Sequence, residues 1–312
     1  MNAIQIRWTL ALLLSVSIHA AAQTPPPSIS ISSTATQAAT LTPFTARDLA
    51  NEEAKFAAYA VKTGMFTAFR AFFADKSTLL RPGPIDAQAW MKGRPDPPII
   101  LDWRAQLTVL SASGDLGLST GPWTRVAKAT PDAAKSYGQF FSVWQKQANG
   151  AWKVLIDHGV SHPTFALGDA ALHARELPVQ PATRGLDDQA DDDAEAAFIG
   201  ATARLGMRAA YANAINNNSR LLRDEKPPAD GVQAILAALK DDEGGWAWTP
   251  QQQGLSSARD MRYCIGQYVW THPSGAKQRG QYVRVWVREG QPARWVIAGE
   301  IVTPTPETTP PK

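Results

Sequence analysis

Between Ala46 and Ala74 the large apolar residues Phe56, Tyr59, Met65, Phe66, Phe69, Phe72 and Phe73 recur at three- and four-residue spacings. That period places them on one face of a helix, and Gly64 in their midst predicts two helices or one bent helix. The period then changes. Arg81-Pro82-Gly83-Pro84 imposes turn and extended geometry, and a short helix is expected around Asp86 to Lys92. Beyond the Pro-rich segment Arg94 to Pro98, apolar runs predict strands at Ile99 to Val109, Leu116 to Val126, Gln139 to Gln147 and Trp152 to Val160. A turn at Ala148, Asn149 and Gly150 joins the last two, because Asn-Gly between apolar runs is a strong hairpin signal. Helices first and antiparallel strands after make an α+β unit in which a curved sheet wraps the helices.

The pattern is written twice. Glu53, Phe56, Gly64, Met65, Phe69 and Arg81 are matched without a gap by Glu195, Phe198, Gly206, Met207, Tyr211 and Arg223. Gly138 and Trp144 of the hairpin are matched by Gly280 and Trp286, and Asp157 by Glu300. Matches at Gly, Trp and Arg over such a span mark a duplicated module. The expected organisation is a first domain over 47–165, a linker over 166–186, a second domain over 187–303 and a tail over 304–312. The acidic run from Asp187 to Glu195 is read as helix N-terminal charge that complements the macrodipole, since the calcium-loop pattern is absent.

Ahead of the first domain, Arg7, the apolar run Trp8 to Ile18 and Ala20-Ala21-Ala22 have the layout of a secretory signal peptide over residues 1–22. Its run is too short to span a bilayer, so cleavage near Ala20 or Ala22 is expected, with a periplasmic or secreted product. The alternative is an uncut anchor. Residues 23–46, rich in Pro, Ser and Thr, read as a linker without the apolar residues needed to offset ordering entropy. A formal charge of +3 from 31 Lys and Arg against 28 Asp and Glu gives no electrostatic reason to expect nucleic acid or an anionic membrane as partner. No membrane insertion is expected after cleavage. The single cysteine, Cys264, excludes an intramolecular disulfide and reads as a core thiol.

The segments Phe72 to Trp90, Leu107 to Trp123 and Tyr137 to Gly159 resemble the SnoaL-like branch of the nuclear transport factor 2-like superfamily, especially the group called domain of unknown function 4440. The resemblance covers Arg47 to about Pro163 well and Asp187 to Thr303 more weakly, where the turn has become Arg223-Asp224-Glu225-Lys226-Pro227-Pro228. It implies two tandem cones, each with helices packed into a curved antiparallel sheet around an apolar cavity. Members of the superfamily include isomerases, dehydratases, epoxide hydrolases, polyketide cyclases and binding domains without chemistry, so the fold does not select a function. Members commonly dimerise through their sheets, which implies either pairing of the two domains within this chain or a homodimer.

Asp157 is the first candidate for chemistry. Strand alternation places Lys153, Leu155, Asp157 and Gly159 on one face and Trp152, Val154, Ile156 and His158 on the other. The resemblance implies that an acid on the inner sheet surface acts as a base or hydrogen-bond donor, and burial raises its pKa for that task. The plainer alternative is an acid at the sheet rim, solvated or paired with Arg. Alternation separates His158 from Asp157 unless a bulge intervenes, and Pro163 argues against a helical metal pair of His158 and His162. No metal or cofactor is expected.

Arg81 stands where steroid isomerases of the superfamily carry their base, just before a Pro-Gly turn, and a guanidinium cannot abstract a proton. It is left to bind an anion at the mouth of the cone or to pair with Asp75 or Asp115. Trp103 and Trp123 are the tryptophans expected to line a pocket, with Tyr59 and Phe69 approaching from the helices; most others are expected to fill core. The leading expectation is a small apolar or amphipathic ligand, or a partner chain, bound within residues 47–163 of an exported protein. Its rivals are an isomerase, lyase or hydrolase using Asp157 with Tyr59, Arg81 or Trp123, and a structural pair whose cavities are filled by side chains.

Overall fold

The computed structural model describes residues 43–164, 171–179 and 193–306. The signal region, nearly all of the 23–46 spacer, most of the connection, Asp187 to Asp192 and the end of the tail lie outside the described residues.

The first half begins with α1 (Ala46–Thr63) and α2 (Met65–Phe72), followed by β1 (Phe73–Leu80), β2 (Pro84–Asp86) and α3 (Ala87–Met91). Then come β3 (Ile99–Trp103), β4 (Leu107–Leu110), β5 (Leu116–Ala127), β6 (Ser136–Lys146), β7 (Trp152–His162) and β8 (His173–Glu176). The second half repeats the order with α4 (Ala194–Leu205), α5 (Met207–Ala214), β9 (Arg220–Arg223), β10 (Ala229–Asp230) and α6 (Gly231–Ala238). It ends with β11 (Gly245–Leu255), β12 (Met261–Thr271), β13 (Lys277–Glu289) and β14 (Arg294–Pro304).

A capping box starts α1: Thr45 Oγ1 accepts the Asp48 N–H at 3.1 Å, and the Asp48 carboxylate accepts the Thr45 N–H at 2.9 Å. Gly64, at φ +114°, ends α1 and opens α2, a backbone conformation that a side chain disfavours; Gly206 does the same at φ +79°. The sheets run β2-β1-β7-β6-β5-β4-β8, with β3 also on β5, and β10-β9-β14-β13-β12-β11.

Three expectations are corrected. Phe73 leaves the helical face and begins β1, which pairs in parallel with β7; that partner lies far along the chain. The expected strand Ile99 to Val109 is broken at Arg104 to Gln106 into β3 and β4, both paired with β5, whereas its counterpart β11 stays whole with a register shift between Pro250 and Gln252. The connection between halves contributes β8, parallel to β4, a short strand of mixed polarity without a period to reveal it.

Each half has an apolar interior between helices and sheet, and a third cluster lies between the two sheets. Alternation sorts the residues. Phe140 and Trp144 of β6 face their own helices, while Phe141 and Val143 join Val283, Val285 and Val287 of β13 between the sheets. Both faces of these strands are buried, and each large side chain so placed contributes about 1.5–3 kcal/mol. At the edge of this contact matching turns cap each other: Ala112 N–H donates to Asp260 Oδ2 at 2.8 Å, and Ser257 N–H donates to Asp115 Oδ2 at 2.9 Å. Against the opposing effect of burial, bonds from Ser113 and Ser257 hold Asp115 below the usual carboxylate range.

At Gly299 the two sheets approach closely. A Cβ there would come within 2.8 Å of Leu118 Cδ2 and 2.9 Å of Phe141 Cε2. Gly299→Val is expected to lower stability by about 1–3 kcal/mol through overpacking, read as a lower urea midpoint. An unchanged midpoint would show that the sheets do not press together at this point.

Candidate functional site

The interior of the first half holds a cavity of about 420 Å³. Phe56 of α1, Phe69 of α2, Trp103 of β3, Trp123 of β5 and Phe140 of β6 form its aromatic wall. Its polar lining is Glu53, Arg81, Arg125, Ser142 and Asp157, with His158 at its border.

Glu53 lies on the inner face of α1 and is fully buried. Its Oε1 accepts from Trp103 Nε1 at 2.7 Å and its Oε2 from Trp144 Nε1 at 2.8 Å. Burial pushes its pKa up, and these indole bonds oppose the shift without cancelling it. Asp157 reaches the same space because β7 carries a bulge: Val143 pairs with Ile156 but Trp144 with Val154, leaving Leu155 over. This corrects simple alternation along the strand. Trp152 and Val154 face the cone interior with Asp157, while Leu155 and Ile156 pack between the sheets.

Burial, and then the neighbouring Glu53 charge, push Asp157 up to about 7; a 3.1 Å bond from Ser142 Oγ and the field of Arg81 pull the other way. The side chain keeps some exposure, at the cavity wall. His158 points to the other sheet, with Nε2 2.8 Å from Thr303 Oγ1, and burial followed by the Arg81 charge holds its pKa down to about 3. A neutral imidazole facing away forms no dyad with Asp157.

Phe69, Arg81, Trp103, Trp123 and Asp157 all line this cavity. Tyr59 does not. It is 39% exposed on α1, beside Phe72 at a ring separation of 5.9 Å, because the buried stripe of α1 runs through Glu53, Phe56 and Ala60 and leaves Tyr59 at its edge. Arg81 does not take Asp115 as partner, since serines hold that carboxylate; its guanidinium lies 5.3 Å from the Trp90 ring centre. Sequence reasoning gave no site role to Glu53 or Ser142. The signal for Glu53 was an acid within an apolar helical stripe, repeated as Glu195.

The second half places the same chemistry in a closed form. Arg284 of β13 stands at the position of Ser142, opposite Glu300, as Ser142 stands opposite Asp157. Its fully buried guanidinium reaches Glu300 and Glu195, each at 2.5 Å. Arg223 adds a 2.9 Å bond to Glu300, the Tyr211 hydroxyl donates to Glu300 at 2.6 Å, and the Tyr282 hydroxyl donates to Glu195 at 2.9 Å. Against burial, Arg284 and then Arg223 hold Glu300 below its ordinary value. Glu195 does stand in the first turn of α4, where the acidic run predicts a helix N-terminus, but it is fully buried and belongs to this ion network. A separate crevice beside α5 and α6 touches neither Arg284 nor its acids.

Arg284→Met is expected to destabilise the chain by about 3–5 kcal/mol, because buried Glu195 loses its counter-ion and Glu300 loses one of its two. Adding Glu195→Gln and Glu300→Gln restores most of the loss in a chemical denaturation series; no recovery would refute the network. For Asp157, a folded pKa above the unfolded one gives stability that is complete below about pH 4 and lost as pH rises through about 7. Asp157→Asn is therefore expected to be more stable than the parent by about 2 kcal/mol near pH 8, with the gap closing toward pH 4. Besides burial, the groups that set this are Glu53, the Ser142 hydroxyl, Arg81 and the backbone N–H of His158; a gap independent of pH would contradict it.

No protein-family model matches the sequence, and no curated protein matches it either. Among solved structures it is similar to a ketosteroid isomerase-like protein from Erwinia carotovora atroseptica, at 16% identity over 39% of this chain and 100% of the other, with a TM-score of 0.33. It is also similar to a nuclear transport factor 2-like protein of unknown function in nutrient uptake from Rhodospirillum rubrum, at 12% identity over 36% and 95% of the two chains, with a TM-score of 0.30. A conserved protein from Planctomyces limnophilus gives 17%, 36%, 91% and 0.29. Likeness at this identity concerns fold alone, and each match spans about the length of one half. Helices followed by a mainly antiparallel sheet, in the same order twice along one chain, give the protein two α+β modules of like topology in tandem.

Proposed function

We propose that the first half is the binding site for a small apolar or amphipathic molecule, and that the second half is a closed supporting copy. One observation carries this: an open, aromatic-walled cavity of about 420 Å³ lies in the first half, where the second half is filled by Arg284 and its partners. The volume falls within the range of sites that enclose small ligands, and a few polar groups converge on a mainly apolar wall. We read the protein as exported, on the strength of residues 1–22.

A second reading is favoured by Asp157. A carboxyl titrating near 7 on the wall of an apolar cavity is poised to take and return a proton at neutral pH, the task of an isomerase, lyase or hydrolase acid–base group. Arg81 and Trp123 stand on the same wall.

N-phenyl-1-naphthylamine, a neutral apolar dye, is expected to brighten and shift to the blue when added to the full-length protein, and Ser142→Arg is expected to abolish that response while circular dichroism stays native. The substitution copies the plug of the second half into the first. Equal dye binding by the parent and a folded Ser142→Arg variant would place the dye elsewhere and sink the proposal.

A further inference from the structure

We propose that the first cavity receives the cationic head, a guanidinium or primary ammonium, of an amphipathic molecule, in the place that Arg284 occupies in the second half. This rests on the cavity being a ligand site. The second half shows what the shared constellation holds. There the Arg284 guanidinium bridges Glu195 and Glu300, 4.3 Å from the Phe198 ring centre and 4.8 Å from those of Trp248 and Tyr282. Cation–carboxylate and cation–π contacts act together, out of water, where both are strongest.

Glu53, Asp157, Phe56, Trp103 and Phe140 take the matching places in the first half, and all five line the cavity. The cation is replaced by Ser142, and the hydroxyl donors Tyr211 and Tyr282 are replaced by Phe69 and Phe140. In the second half two buried acids are balanced by Arg223 and Arg284. In the first, Arg81 corresponds to Arg223 and nothing corresponds to Arg284, so one positive charge is missing from the matched set. Arg81 and Arg125 are exposed, where water screens them, whereas Glu53 is sealed from solvent. An entering anion would meet Glu53 and Asp157 at the bottom of the cavity; a cation supplies the missing charge. Phe66, Leu79, Ile99 and Leu101 offer the rest of the molecule an apolar wall.

The test is calorimetric titration of the full-length protein with butylguanidinium and with butylurea, its uncharged isostere. Butylguanidinium is expected to bind at least about tenfold more tightly. Asp157→Asn should weaken the cation about tenfold with little change for butylurea, and a folded Ser142→Arg should lose the cation. Equal or tighter binding of butylurea, or a cation affinity that Asp157→Asn leaves intact, overturns the inference while the ligand site stands. A parent protein that also fails to bind N-phenyl-1-naphthylamine would overturn both.

Discussion

A carboxylate withdrawn from water costs several kcal/mol unless a cation or a set of donors replaces the solvent. Each half of this chain buries one acid on its first helix and sets another on its last strand, facing the same interior. The second half meets the cost with charge: Arg284 bridges Glu195 and Glu300, Arg223 joins them, and the hydroxyls of Tyr211 and Tyr282 fill the remaining acceptor sites. The first half has Phe69, Phe140 and Ser142 at the matching places, so the donors include two indoles on Glu53 and, on Asp157, the Ser142 hydroxyl and the His158 backbone N–H, with no buried cation among them. That shortfall of charge, more than the size of the cavity, sets the chemistry of the first half.

The same acids depend on strand geometry. A leftover residue in the last strand, Leu155 in one half and Ala298 in the other, flips the alternation so that Val154 and Asp157, or Ile297 and Glu300, share the inner face. Without the bulge the acid would point between the sheets, into the cluster of Ile156 and Phe141. There it would exchange the Ser142 hydroxyl for a mainly apolar cluster. The contact between halves thus needs strands apolar on one face, and the site needs the same strands polar at one point on the other.

Packing the sheets against each other also explains the pairing of turns. Asp115 and Asp260 each cap the turn of the opposite half, so the edge of the apolar contact is closed by charge-assisted bonds to backbone N–H groups. Two copies of one module meeting by like faces produce this reciprocity, as in an isologous dimer.

Much was legible in the sequence. The helical stripe around Phe56 and Phe69, the Asn149-Gly150 hairpin, the Gly64 break and the duplication itself follow from local periodicity and backbone sterics, which need no distant partner. The pocket wall at Trp103, Trp123, Arg81 and Asp157 followed from residue type and the resemblance together. What depends on distant contacts was not legible. β1, β8 and the break between β3 and β4 exist because of the strands beside them; Tyr59 lost its place by the edge of a helical stripe; Glu195 is a helix-terminal acid whose buried partner, Arg284, lies far along the chain. The difference between an open and a closed cone lies in one matched pair, Ser142 and Arg284. The sequence displays that pair openly, but only the tertiary structure shows that both residues point at the same two acids.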